Sequence, residues 1–286
     1  MSRGIIQQRL LWEVARVAGV VLLLAGMAMP KFQTHCTFAA PLPAPRQADV
    51  EAKKAGKAPL LWVLPGEAVN RWKGNHLLSL WRGAKSRREV ALTFDDGPHP
   101  AFTARLLDLL KREHVKATFF LVGKKVDEAP TMVARIAREG HEVGNHTYHH
   151  INLDKLTPDQ AGLEIRQANE AIRRACGIKP ISFRPPGGHH SEIVYQAAAK
   201  QEMRTVFWTD DPGDFSKPAP DVIQARILKD LDNGSDILLH DGIESTLQML
   251  PDLIARLRRD GYQFVTVSEM AQHLETVHRG QRTATK

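Results

Sequence analysis

The chain has 286 residues, 43% of them hydrophobic and 25% charged, with a net charge of +7. That is enough for one domain of about 200 residues with a substantial core, plus a flanking segment. The basic residues are scattered and not interleaved with aromatics, which argues against nucleic acid as a partner; the charge suits an anionic wall or membrane surface, or serves solubility alone.

At the N-terminus, Arg3, Arg9 and Arg16 precede an apolar run at 17–29 that ends at Pro30 and Lys31. The run is short for a spanning helix and suits the core of a signal peptide, so residues 1–30 are expected to direct export to the periplasm, the cell wall or the medium. Cleavage fits after Ala28 or near Ala39 and Ala40, whereas extension of the run through Leu10, Leu11 and Trp12 makes an uncleaved anchor over 10–30 the alternative. Cys36 and Cys176 are too few for a metal site and form at most one disulfide.

Residues 41–60, rich in Pro, Ala and Lys without periodicity, read as a linker. Trp62, Trp72 and Trp81 follow, read as packing an N-terminal extension (31–86) against a domain at 87–278 rather than as a sugar platform; 279–286 is a tail. Within the domain, strands are expected at 90–94, 117–122, 141–145, 181–183, 205–208, 237–240 and 262–266. Helices are expected at 102–113, 131–139, 158–176, 192–201, 221–231, 246–259 and 268–277. The third opens with Thr157-Pro158-Asp159-Gln160, a capping box with Pro at the first helical position, and stops at Gly177.

Strands alternating with helices imply a parallel sheet, closed as a barrel or open and doubly wound. Asp95, Asp96, His146, His150, Arg184, Asp214 and His240 all fall at or just beyond strand C-termini. An open sheet gathers ligands at one crevice, whereas a barrel collects residues from many strand ends at one mouth, so the pattern favours an α/β barrel.

The chemistry begins at Thr93-Phe94-Asp95-Asp96-Gly97-Pro98, two adjacent carboxylates where a strand bends into a turn. Unpaired, they would repel and one would hold its proton; keeping both ionised needs a cation or an arginine. His146-Thr147-Tyr148-His149-His150 spaces two histidines four apart, one helical turn, so that both rings face one point. Alone this pair fits a solvated surface turn and a ligand pair equally; beside the carboxylates it reads as a metal-ligand set, with His149 a bystander. Two histidines and an acid suit zinc and also iron(II). Ser182-Phe183-Arg184-Pro185-Pro186-Gly187-Gly188 adds a strand-end arginine and exposed backbone N–H groups, Asp210-Asp211-Pro212-Gly213-Asp214-Phe215 more acids, and Leu238-Leu239-His240-Asp241 a strand-end histidine.

In this order and spacing, TFDDGP, HTYHH, RPPGG, DDPGDF and LLHD resemble the five motifs of the polysaccharide deacetylases, the NodB-homology proteins of carbohydrate esterase family 4, over roughly residues 90–277. The resemblance implies a distorted (β/α) barrel of about seven parallel strands and removal of N-acetyl groups from an N-acetylglucosamine polymer, peptidoglycan or chitin-like. It implies a divalent metal, usually Zn2+, with Co2+, Ni2+ or Mn2+ as alternatives, on Asp96, His146 and His150. Asp95 would be the base, oriented by Arg184, and His240 the acid, oriented by Asp214. Leu238 would line the acetyl pocket, the Gly187 N–H would meet the oxyanion, and Phe215 would touch the sugar.

Two positions depart from the family pattern: Gly187 stands where an aromatic is common, and Phe215 where tryptophan is common. They put the substrate in question and motivate an O-acetyl esterase or small-amide hydrolase as the alternative, with a non-catalytic wall-binding module behind both. His189 and His190 follow the glycines, either touching substrate or solvated. The expected partners are an N-acetylated glycan and, through the N-terminus, a membrane; the expected state is a monomer.

Overall fold

A computed structural model describes residues 70–73 and 76–284. The expected leader or anchor, the linker, Cys36 and Trp62 lie outside the described residues. Two short strands come first, β1 (Arg71–Lys73) and β2 (His76–Leu80), then β3 (Glu89–Gly97) and helix α1 (Pro100–Arg112). There follow β4 (Thr118–Leu121), α2 (Gly123–Glu128), α3 (Pro130–Arg138), β5 (Glu142–Asn145) and α4 (Pro158–Cys176). The rest alternates as β6 (Ser182–Phe183), α5 (Glu192–Lys200), β7 (Arg204–Val206), α6 (Pro220–Asp230), β8 (Ser235–His240), α7 (Glu244–Arg259), β9 (Gln263–Phe264) and α8 (Val267–Ala284).

The strands form one sheet in the order β1-β2-β7-β6-β5-β4-β3-β8, parallel except for β1 against β2. The sheet curls, and β8 at one end meets the chain just past β7 through a bridge between Asp210 and Ile237, with Leu238 N donating to Asp210 O at 2.9 Å. Gly83 N donates to Gly234 O at 2.9 Å at the other end of this seam. A Cβ on Gly234 would stand 2.7 Å from the Gly83 carbonyl carbon, and φ there is +76°, so glycine permits the approach.

The expected barrel is therefore present, with one exchange of strands. The expected strand at 262–266 shrinks to β9, which pairs only with the foot of β3. β2, placed by the sequence reading in the N-terminal extension, joins the sheet beside β7 instead. Trp81 is buried and stacks on Phe207 at 3.9 Å, and Trp72 stacks on His278 at 4.0 Å, so both pack as expected. Helix α8 runs past the expected end at 277 to Ala284, and α2 was not expected. The box at Thr157 and Gln160 and the left-handed cap at Gly177 bound α4 where the sequence places them.

Alternation along the strands sorts the core. Val90, Leu92, Phe94, Ile237 and Leu239 join the helix residues Leu106, Leu110, Leu250 and Leu253 in the layer outside the sheet. Ala91, Phe120, Leu80 and Val206 form a separate inner cluster. Among the described residues no helix is long and apolar enough to cross a membrane.

Candidate active site

Strand β3 carries the two carboxylates by breaking its own alternation. Its register against β4 shifts between Phe94 and Gly97, and Asp96 sits at φ 69°, a left-handed conformation uncommon outside glycine and tolerated by aspartate. The irregularity re-aims the Asp96 side chain so that it opens to the same mouth as Asp95, one residue before it.

His146 and His150 follow β5 in a loop, which corrects the expected helical turn. Thr147 at φ 63° and His150 at φ 57° are incompatible with a helix, since each reverses the handedness of the chain. Anchors hold the loop instead. Asn145 Oδ1 accepts from Thr147 N at 2.8 Å, and Glu164 Oε2 accepts from the N–H groups of Tyr148 and His149 at 3.1 and 2.9 Å. Glu164 Oε1 pairs with His149 Nδ1 at 2.7 Å, so His149 points away from the two ligand candidates but fastens their loop.

The three expected metal ligands converge. Ligand atoms of Asp96, His146 and His150 all lie within 4.8 Å of one another. His150 Nε2 is 2.9 Å and His146 Nε2 3.5 Å from Asp96 Oδ1. His146 Nδ1 donates to the Arg184 carbonyl at 2.8 Å, which in the neutral ring leaves Nε2 as a bare lone pair facing a carboxylate oxygen. Asp96 Oδ1 is buried and makes no hydrogen bond among the described residues despite those short contacts. Two imidazole nitrogens crowded about a buried carboxylate oxygen that has no well-formed hydrogen bond are what a cation reconciles, so these residues fit a divalent metal.

Beside them Arg184, just past β6, is wholly buried. Its Nη1 donates to Asp95 Oδ1 at 2.9 Å and to Thr93 Oγ1 at 2.6 Å. Burial works against the guanidinium charge, but Asp236 and Asp95 outweigh it and hold its pKa above the ordinary value. Burial pushes the Asp236 carboxyl up to about 6 against the opposing pull of Arg184. Asp95 Oδ2, the oxygen Arg184 does not touch, stands 3.7 Å from His146 Nε2.

His240 closes β8 at the register position of Asp95. Its Nδ1 is 2.6 Å from Asp214 Oδ1, and Asp214 Oδ2 accepts from the His240 N–H at 2.9 Å and from Thr246 Oγ1 at 2.7 Å. Burial lowers the imidazole pKa, but the bond and charge of Asp214, with Asp95 and Asp96 behind, push it up to about 9. Phe215 lies edge-on to His240 at 5.8 Å.

A cavity of about 610 Å3 joins Asp96, Phe215 and His240 to His99, Lys125 and Asp241. Leu238 is buried two residues before His240, and Gly187 is exposed at φ 69°; neither is on this cavity's wall. His189 pairs with Asp154 at 3.3 Å, and His190 packs edge-on to Trp81 at 5.7 Å, so both have protein partners.

Sequence reasoning missed several side chains around the site. Lys125 donates to the Asp96 carbonyl at 2.6 Å and lies 2.9 Å from His99 Nε2, clamping the backbone of the left-handed residue. Glu164 sits on the buried face of α4 with Ala161, Ile165 and Ala168. Asp236 interrupts the apolar run of β8. An acid on an otherwise buried face was the available signal for both, because such a group needs a partner.

Residues 82–206 match the family model described as polysaccharide deacetylase. The chain is 34% identical over 198 residues to a peptidoglycan-N-acetylglucosamine deacetylase of Bacillus cereus, an alignment covering 68% of this chain and 92% of that protein. Among solved structures, a peptidoglycan N-acetylglucosamine deacetylase is 38% identical, with a TM-score of 0.65 over 67% of this chain and 91% of that one. A pseudoenzyme of carbohydrate esterase family 4 from Bacillus anthracis is 29% identical, with a TM-score of 0.66 over 71% and 78%.

Proposed function

This chain belongs to the polysaccharide deacetylase family, and from that premise we propose that it is a metal-dependent hydrolase removing N-acetyl groups from an N-acetylglucosamine-containing polysaccharide, peptidoglycan before chitin-like polymers. The observation that carries the reading is the convergence of Asp96, His146 and His150 on an orphaned carboxylate oxygen, with Asp95 beside it and His240 across the strand ladder. The peptidoglycan named in the relatives supports an exported protein.

Asp96, His146 and His150 would hold the cation, Zn2+ before Co2+, Ni2+ or Mn2+. When bound, the cation polarises an amide carbonyl and brings the pKa of a water towards neutrality. Asp95, its Oδ1 fixed by Arg184, takes the proton of the attacking water on Oδ2. The Gly187 N–H takes part of the charge that develops on the carbonyl oxygen. An amine leaves badly as an anion, so His240 donates a proton to it, and Asp214 keeps that proton available at neutral pH. Leu238 lines the acetyl methyl, Phe215 offers the sugar an apolar face, and the products are acetate and a glucosamine unit.

Gly187 and Phe215 motivate a second reading, in which the same machinery cleaves an O-acetyl ester or a small amide. The test is acetate release by the purified chain from peptidoglycan fragments, chitooligosaccharides and acetylated xylan, with and without chelator. Metal-dependent release from the N-acetylated glycans is expected. Faster turnover of the ester supports the second reading, and no release from any N-acetylated glycan by zinc-loaded protein overturns the first.

A further inference from the structure

Strand β8 turns Asp236, Leu238 and His240 to one face and Ile237 and Leu239 to the helices, as a period of two dictates. Asp236 lies below His240 on that inward face, wholly buried, opposite Ala91 in the ladder with β3. Arg184 spans the distance between this carboxylate and Asp95. Its Nη2 donates to both Asp236 oxygens at 2.9 Å and to Phe207 O at 3.0 Å, while Nη1 serves Asp95 and Thr93. Phe120 lies under the guanidinium, 4.2 Å from its carbon.

The guanidinium fork matches a carboxylate with two parallel bonds, and arginine beside aspartate usually makes both. Here Asp95 receives only one. Resting on the reading of Asp95 as the proton acceptor, we propose that Asp236 is a positioning residue for that transfer: it occupies one terminal nitrogen of Arg184, so that the guanidinium meets Asp95 through the other alone and leaves Asp95 Oδ2 free. Thr93 completes the arrangement, its hydroxyl accepting from Nη1 at 2.6 Å and lying 2.9 Å from Asp236 Oδ1. In a site this buried no bulk water takes over a lost partner. Without the Asp236 charge, the strongest remaining acceptor for Nη2 is Asp95 itself, and a two-bond grip occupies the oxygen that the reaction needs.

The test uses the full chain carrying Asp236→Asn, which keeps the side chain's shape and removes its charge. Acetate release from chitooligosaccharides is expected to show kcat lower by about tenfold or more, the scale of a lost charge-assisted bond, with KM and zinc content unchanged. Added to Arg184→Lys, it is expected to lower kcat no further, because both changes act through one guanidinium. A merely structural role predicts a lower melting temperature with wild-type kcat for the folded fraction. Thr93→Val is the second variant, expected to lower kcat in the same direction if Asp236→Asn yields no folded protein. A crystal structure of Asp236→Asn adds a readout independent of turnover: two Arg184–Asp95 bonds are expected, and the single bond unchanged would overturn the proposal, as would wild-type kcat in both variants. Asp95→Asn separates the two claims. If it turns over normally, the reading of Asp95 falls; if it is inactive while Asp236→Asn behaves as wild type, only the role of Asp236 falls.

Discussion

His240 Nδ1 stands 2.6 Å from Asp214 Oδ1, and the other oxygen of the same carboxylate takes the His240 backbone N–H. This double grip overcomes the burial that would otherwise discharge the ring, and it raises the folded-state pKa from 6.5 to about 9. The linked stability is complete below about pH 6.5 and is lost as the pH rises through about 9. Turnover needing the protonated ring falls along the same alkaline limb, and a cation on Asp96 moves that limb lower by cancelling part of the pull of Asp95 and Asp96. Asp214→Asn is expected to shift the limb to lower pH by roughly one unit or more and to cut kcat at pH 7 by about 10- to 100-fold. An unmoved pH–rate profile contradicts the assignment of His240 as the acid.

Metal binding predicts a stability change without any substrate. Zinc added to chelator-treated protein at about 100 times its dissociation constant stabilises the fold by about 2.7 kcal/mol if it binds the native state alone. Scanning calorimetry is expected to show that rise in wild type and in Asp236→Asn, and to lose it in Asp96→Ala and His150→Ala. A zinc-induced rise that survives the loss of Asp96 places the metal elsewhere.

Glu164 accepts three bonds from the segment that carries His150 and its neighbours. Glu164→Gln weakens two of them and removes the charge facing His149. Zinc affinity is expected to fall by roughly tenfold, the lower end of what supporting partners contribute, as measured by competition with a chromophoric chelator. Unchanged affinity shows that the loop holds its shape without this acid.

The barrel seam makes a prediction about the fold alone. A methyl on Gly234 meets the Gly83 backbone at 2.7–2.9 Å in a left-handed conformation, so Gly234→Ala is expected to cost about 2 kcal/mol or more in urea unfolding. A neutral result means that the strand ends are not in contact there.

What the sequence made legible follows from how local each signal is. Helix α4 carries its start box, its apolar stripe and its stop glycine within its own residues, and its limits match. The carboxylate pair and the strand-end histidine were equally visible, because functional groups at strand ends stand out against apolar runs. β2 was not, since it carries no chemical motif and precedes the first clear alternation of strand and helix. A spacing of four between His146 and His150 suits a helical turn and an anchored loop equally, and only the left-handed residues distinguish them. The bond from Arg184 to Asp236 joins residues far apart in the chain, so the sequence displays the buried acid and hides its partner.

The central claim is a division of labour between two adjacent carboxylates, Asp96 on the metal and Asp95 on the proton. The direct measurement is zinc content and acetate release for Asp95→Asn and Asp96→Asn side by side, on peptidoglycan fragments at pH 7. Asp95→Asn is expected to keep its zinc and lose turnover by at least about 100-fold, whereas Asp96→Asn is expected to lose the zinc itself. Asp95→Asn that turns over as wild type, or that loses its metal while Asp96→Asn keeps it, contradicts the account.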